Sequence, residues 1–365
     1  MKPLPLAFGV FLLIVMIRFT TPSLLPFLGQ LMHVDPSIEG LLVTAYWIGY
    51  TAFMMPSGTL VERAGAKGAI IAGIALAIIF LSFPSFINSY GYVLMLQFVA
   101  GSLSSFIYVF LVSLVVATQR RSGLAVGIYQ SAFFIGSSIS IAVTPLLFSF
   151  NHTIPFISYG IPLIPLTALL LGTDVKSGKS ASSPAINARV VGMGLIRFAA
   201  GFSYLGFVAW STYYSVHVLG ATHSMSGIYA FTSTALGSIG TIIGGAIGDR
   251  FGYVAPSILG SSMIAAIVLI IYWLPFPLQE TFMAMMGFMY GFYASPSLAS
   301  SKSSARISSA SAFLNFMTQL GGTASPYLIG RMLGFLGFAS AFTALGVISM
   351  ALIIMGSLLL RKISY

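Results

Sequence analysis

The chain has 365 residues, of which 58% are hydrophobic and only 6% charged, with a mean hydropathy of +0.99. An average soluble domain carries about 25% charged residues, so this much apolar surface excludes a soluble globular fold and requires lipid as solvent. The formal charge of +10 is spread singly over short loops, a pattern of membrane orientation and not of a nucleic-acid-binding patch, and with no cysteine there is no disulfide framework or thiolate site.

Apolar runs long enough to cross a bilayer, about 20 residues each, occur twelve times: 5–30, 39–60, 68–88, 91–117, 122–149, 154–172, 188–216, 226–247, 254–274, 278–299, 307–331 and 336–360. The expected fold class is therefore an all-α membrane protein of twelve transmembrane helices. The first run follows Lys2 but contains Arg18 and lacks a small-residue cleavage site, so it reads as a retained span. With the N-terminus inside, 13 of the 16 basic residues fall on the cytoplasmic side, which selects cytoplasmic termini in the plasma (inner) membrane. His33, His152, His217 and His223 show no ligand spacing, so no metal and no cofactor is expected, and no nucleophile–base cluster marks an enzyme. Asn151-His152-Thr153 fits a glycosylation sequon, but its loop is too short to serve as one.

A phrase G-x-[LI]-x-[DE]-R-x-G follows the second run, as Gly58-Thr59-Leu60-Val61-Glu62-Arg63-Ala64-Gly65. It recurs after the eighth, as Gly245-Ala246-Ile247-Gly248-Asp249-Arg250-Phe251-Gly252. A repeat spaced at half the chain is a duplicated unit, and each copy is expected to be a short hydrophilic turn between helices. The longest polar stretch, 173–187, contains Asp174, Lys176, Lys179 and Pro184 and lies midway, so it reads as a cytoplasmic linker between halves 1–172 and 188–365.

These features resemble the major facilitator superfamily over nearly the whole chain. Gly58, Arg63, Gly65 and Lys67 match the family's signature loop; Glu62 replaces its usual aspartate and Gly68 its last basic residue. Gly245, Asp249, Arg250 and Gly252 keep the second copy without the basic tail. The resemblance implies two six-helix halves related by a pseudo-two-fold axis. It also implies alternating access to a site near the midplane, and loops at Gly58, Glu62, Arg63, Gly65, Gly245, Asp249, Arg250 and Gly252 that latch a cytoplasmic gate.

Two charges lie within spans, in the matching phrases Ile17-Arg18-Phe19 and Ile196-Arg197-Phe198. Arg18 stands roughly 20 Å along its span at about 1.5 Å per residue, whereas Arg197 is close enough to the cytoplasmic end to snorkel. None of the six acidic residues falls in the middle of a span. Intramembrane charge is costly and marks function. The resemblance places spans one and seven on opposite sides of a central cavity, where two guanidiniums would clamp a small anionic substrate, an organic carboxylate first. Gln130 and Asn315, related through Gly136 and Gly321, are the next substrate-binding candidates, with Tyr129, Tyr204, Tyr290 and Gln319. Arg197, Gly201, Tyr204 and Ser211 share a helical face, and Tyr46, Tyr50, Tyr108, Tyr229 and Tyr293 are further hydroxyl donors, against which stands the ordinary aromatic belt of membrane interfaces.

No span carries a mid-membrane Asp, Glu or His for proton coupling, and Gln97 to Gly101 has glutamine where the family's antiporters often have arginine. Exchange or facilitated diffusion of an anion by a monomer is therefore the leading expectation. A transporter or exporter of a neutral solute or drug, proton-coupled or not, with structural or gating arginines, is the alternative.

Overall fold

A computed structural model describes residues 3–33, 36–173, 186–220 and 223–361. Most of the expected linker (174–185, with Asp174, Lys176, Lys179 and Pro184) lies outside the described residues, as do Lys2, Asp35, Lys362 and Tyr365. So do the side chains of Glu39, His217, His223 and Tyr229.

Ten α-helices run in order: α1 (Pro3–Met32), α2 (Pro36–Phe86), α3 (Tyr90–Thr118), α4 (Ser122–Phe150), α5 (Ile154–Ala168), α6 (Ala188–His217), α7 (His223–Phe251), α8 (Val254–Ile270), α9 (Phe276–Ala299) and α10 (Ile307–Arg361). Short 3-10 turns follow α8 at Ile271–Trp273 and α9 at Ser300–Ser303, and no strand occurs among the described residues. Two helices are too long to be single spans. At about 1.5 Å per residue the 51 residues of α2 would more than double the ~30 Å hydrocarbon core. Non-helical backbone at Gly65 (φ 52°, ψ −142°) breaks α2, and Gly337 (φ 70°, ψ 175°) breaks the 55-residue α10. The ten helices thus make the twelve segments of the expected all-α architecture. By length and composition, eight described helices are apolar enough to cross a membrane, α2 counting once among them.

Both copies of the repeated phrase correct the expectation of an eight-residue turn. Gly58 to Ala64 and Gly245 to Phe251 are helical, and the chain turns only at the last glycine, Gly65 in one copy and Gly252 (φ 86°) in the other. Positive φ costs an L-residue about 1–2 kcal/mol, so glycine ends the helix where a side chain would extend it. The sixth span is also shorter as α-helix than expected, because past Ala168 the backbone tightens into bonds of the i−3 kind, Leu170 to Thr167, Leu171 to Ala168 and Thr173 to Leu170.

The chain divides into two compact units, Met1–Gln119 with Ala132–Lys179, and Arg120–Ser131 with Ser180–Tyr365. In the first, α3 lies against α2 with backbone in contact: a Cβ on Gly101 would stand 2.0 Å from the Tyr46 carbonyl oxygen. In the second, α9 meets α7 the same way, a Cβ on Gly291 falling 2.1 Å from the Gly237 carbonyl oxygen. Helix pairs in lipid gain little from hydrophobic burial and associate by such close approach. Large apolar side chains such as Ile71, Ile141, Leu146 and Phe231 remain exposed, as a lipid-facing surface requires.

Two substitutions separate these roles. Gly101→Ala is expected to abolish the folded, monodisperse fraction in detergent, because backbone cannot yield. Gly252→Ala, with open space around its Cβ, should cost only about 1–2 kcal/mol and leave a monodisperse protein with a lowered Tm by thermal shift.

Candidate functional site

Arg18 is buried, 4% exposed, in the first unit. One turn of α2 surrounds it with rings: its guanidinium carbon lies 4.1 Å from the Tyr50 centroid, 4.9 Å from Trp47 and 5.3 Å from Tyr46. Its Nε donates to the Tyr46 hydroxyl at 3.3 Å. Its Nη2 is buried without a hydrogen-bond acceptor among the described residues. The aromatic wall continues through Tyr108, 6.2 Å from Tyr50, to Phe11. One turn beyond Arg18, Thr21 accepts a hydrogen bond from the Gln97 amide, a neutral link between α1 and α3.

Arg197 is as deeply buried, 2% exposed, but differently satisfied. Its Nε donates to the Leu314 carbonyl at 2.7 Å, and its Nη1 to the Ala294 carbonyl at 3.1 Å and the Ser297 hydroxyl at 2.6 Å. The side chain therefore staples α6 to α9 and α10, and does not snorkel to the helix end. Sequence symmetry did not carry over into the surroundings: one arginine faces rings and keeps an open donor, the other is committed to protein acceptors.

From Arg197 a run of tyrosines leads along the second unit. The Tyr293 ring lies 5.8 Å from the guanidinium, Tyr290 lies 5.3 Å from Tyr293, and Tyr290 stacks on Tyr204 at 4.0 Å and 14°. Tyr204 reaches the Ser233 hydroxyl at 3.4 Å and lines, with Ser211, Met283 and Met286, a cavity of about 60 Å³. Tyr204 and Tyr290, separate candidates in the sequence, are thus brought together, and Tyr204 and Ser211 line one cavity from the same face of α6. Asn315 and Tyr129 are buried, Gln319 is half-buried, and the Oε1 of Gln130 is buried without a donor among the described residues.

The second copy of the repeated phrase makes a polar junction in the second unit. Asp249 accepts from the backbone N–H of Gly123 through Oδ1 and of Leu124 through Oδ2, both at 2.8 Å, so its carboxylate caps the N-terminus of α4. A negative charge there meets unpaired N–H groups and the positive end of the helix dipole. The Tyr253 hydroxyl donates to Oδ1 at 2.9 Å. Burial, the main cause, holds that phenol above its ordinary pKa, so it remains a donor. Its oxygen then receives the Ser122 hydroxyl proton across 3.0 Å, and Ser122 accepts from Lys302 Nζ at 3.2 Å. Gly245 permits the approach, since a Cβ there would lie 2.1 Å from the Gly123 carbonyl. Arg250 is exposed over the Phe251 ring; in the first copy Gly58 is buried, Glu62 half-buried and Arg63 exposed.

The sequence profile described as Major Facilitator Superfamily matches residues 6–326. The chain belongs to the major facilitator superfamily. Among its relatives, an uncharacterised MFS-type transporter of Bacillus subtilis (strain 168), YceJ, is 23% identical over 79% of this chain and 76% of its own. An MFS-type transporter of Gibberella moniliformis (strain M3125 / FGSC 7600) is 26% identical over 74% and 68%. Among solved structures, the E. coli fucose:proton symporter FucP has the same fold at TM-score 0.76 and 16% identity, covering 98% of both chains. The human organic anion transporter TETRAN matches at TM-score 0.76 and 13% identity, over 99% of this chain and all of its own. Membership makes this chain a multi-pass integral membrane protein and a secondary transporter.

Within this superfamily member, sequence reasoning missed Trp47, although Tyr46-Trp47-x-x-Tyr50 spans one helical turn and signals an aromatic face. It also missed Ser122, Tyr253 and Lys302, which join the Asp249 junction only through the fold. The acceptors of Arg197 at Leu314 and Ala294 are backbone, to which side-chain identity is blind.

Stability should divide the two arginines. Arg197→Gln removes three charge-assisted hydrogen bonds between helices and is expected to cost about 3 kcal/mol or more, at about 1.5–3 kcal/mol for a bond to a charged group. Arg18→Gln should cost under about 1 kcal/mol, since it also removes a desolvated charge. Tm by thermal shift on purified protein checks this, and equal losses would contradict it.

Proposed function

We propose that this transporter carries a small anion, an organic carboxylate first, by exchange or facilitated diffusion with alternating access, and that Arg18 is the anion's principal contact. The observation that supports this reading is a buried guanidinium whose partners among the described residues are all aromatic and whose Nη2 lacks an acceptor. Cation–π contacts are worth about 2 kcal/mol or more each in a dry site. Removing an ion from water costs several kcal/mol after relaxation. Three rings hold the side chain in place without replacing the hydration of its outer edge, and a carboxylate would complete it. A charge-assisted hydrogen bond contributes about 1.5–3 kcal/mol, and the rings orient the fork that makes it. TETRAN, of the same fold, is described as an organic anion transporter, which agrees with the reading without determining it.

Arg197 enters this reading as a strut that positions α6, so that Tyr204 and Tyr290 line the second unit's share of the substrate path, with Gln130, Asn315, Tyr129 and Gln319 as polar lining. The Asp249 junction serves as the cytoplasmic latch, with Glu62 and Arg63 as its counterpart. Both termini are cytoplasmic, in the plasma (inner) membrane, on the bias of basic residues, and the working unit is a monomer.

A second reading is favoured by the same cage: rings that embrace Arg18 on one turn of α2 could retain it as a structural cation while a neutral solute is moved. Purified protein in liposomes separates them. Arg18→Gln should lower uptake or exchange of labelled carboxylates about 10–100-fold, the value of one charged contact, with Arg18→Lys intermediate because it keeps charge without the fork. Carboxylate transport at the wild-type rate by Arg18→Gln, or wild-type transport of neutral sugars alone, would overturn the anion reading.

A further inference from the structure

A recess of about 410 Å³ opens in the second unit where four helix ends meet, and neither Arg18 nor Arg197 lines it. Arg189, the second residue of α6, and Arg361, the last of α10, both line it, with Phe251, Tyr253, Ile258 and Leu360. Among the described residues no acidic one lines it, and the Asp249 carboxylate is committed to α4 and Tyr253. Arg189 and Arg361 are exposed and neither has an acidic partner among the described residues. The first turn of α8, starting at Val254, enters the same recess, and no side chain caps it. Its volume lies within the roughly 300–1,000 Å³ usual for small-ligand sites.

We propose that this recess binds a phosphate group at the membrane interface, held by Arg189 and Arg361 with the uncapped start of α8 behind them. Each observation contributes separately. Two guanidiniums without counter-ions present fork geometry that suits phosphate oxygens. Helix starts leave N–H groups aimed outward, which favours the same charge. The position is set by chain direction: α6 begins, α7 ends, α8 begins and α10 ends here, so the recess stands at one rim of the bundle. The apolar part of its wall gives the ligand a second requirement. Phe251 is 66% exposed beside the arginines, with Ile258 and Leu360 deeper along α8 and α10. A headgroup with acyl chains meets both demands, since basic pockets between helix ends suit anionic lipid headgroups. A soluble phosphate meets only the first.

Full-length protein in detergent would be titrated with phosphatidylglycerol, phosphatidylcholine or inorganic phosphate, with native mass spectrometry and Tm as readouts. Phosphatidylglycerol is expected to bind and raise Tm in wild type, phosphatidylcholine far less. R189Q/R361Q should weaken phosphatidylglycerol about 30-fold, as expected for two interfacial cations. Saturation by inorganic phosphate, lost in the same variant, would support the site and assign it to a soluble phosphate. Protection by the lipid alone would assign it to a headgroup. Equal binding of either probe by wild type and variant would overturn the proposal. Should the double variant not fold, wild type titrated at rising salt decides: electrostatic capture must weaken, and salt-independent binding would equally overturn it.

Discussion

An arginine in hydrocarbon must be answered by something, and the two buried arginines of this chain are answered in opposite ways. Arg197 receives two carbonyls and a hydroxyl and so becomes part of the scaffold. Arg18 receives rings, which accept charge from the face but leave the edge of the guanidinium donating to little. Full satisfaction makes a charge structural, because moving it would break every one of those bonds at once. Partial satisfaction leaves a donor that a ligand would complete, which is what the proposed anion reading rests on. The difference between the two arginines therefore rests on geometry that identical neighbours, isoleucine before and phenylalanine after, do not reveal.

The scaffold that delivers these side chains depends on glycine at two kinds of place. Where backbones touch, as at Gly101 on the Tyr46 carbonyl, glycine fixes the turn of α2 that carries Tyr46, Trp47 and Tyr50. The aromatic cage around Arg18 is thus set by a residue on a third helix that packs against the cage's backbone. Where a helix must reverse, Gly65, Gly252 and Gly337 supply the positive φ. Close packing and abrupt reversal together let the chain cross repeatedly with almost no loop, which is why charges cluster so near the helix ends.

Much of this was legible in the residues. Twelve apolar runs, a doubled phrase and a matching arginine pair were enough for the fold, since hydropathy reports span length directly. The eight-residue turns were misread because Glu62-Arg63 and Asp249-Arg250 look like loop residues. At a membrane face, the last turn of a helix is already in water and can be as polar as any loop. Helical periodicity put Tyr204 on a shared face of α6 and Tyr290 stood among the possible hydroxyl donors, but their stack at 4.0 Å depends on how α6 meets α9. The acceptors of Arg197 were out of reach because carbonyl groups occur at every position and carry no signature.

The junction at Asp249 shows how one carboxylate can be both strong and releasable. Two backbone N–H groups and a phenol hold it, and each bond is short and charge-assisted. None involves a fixed counter-charge on the carboxylate; Lys302 is attached one hydroxyl away, through Ser122. A direct ion pair would leave a bare cation behind when parted, whereas parting this cap returns N–H groups and a hydroxyl to water, where each finds a partner at small net cost. Tyr253 and Ser122 then act as spacers that keep Lys302 near without closing the pair. An arrangement of that kind holds while it is shut and resists little once water enters, which suits the latch role proposed for it.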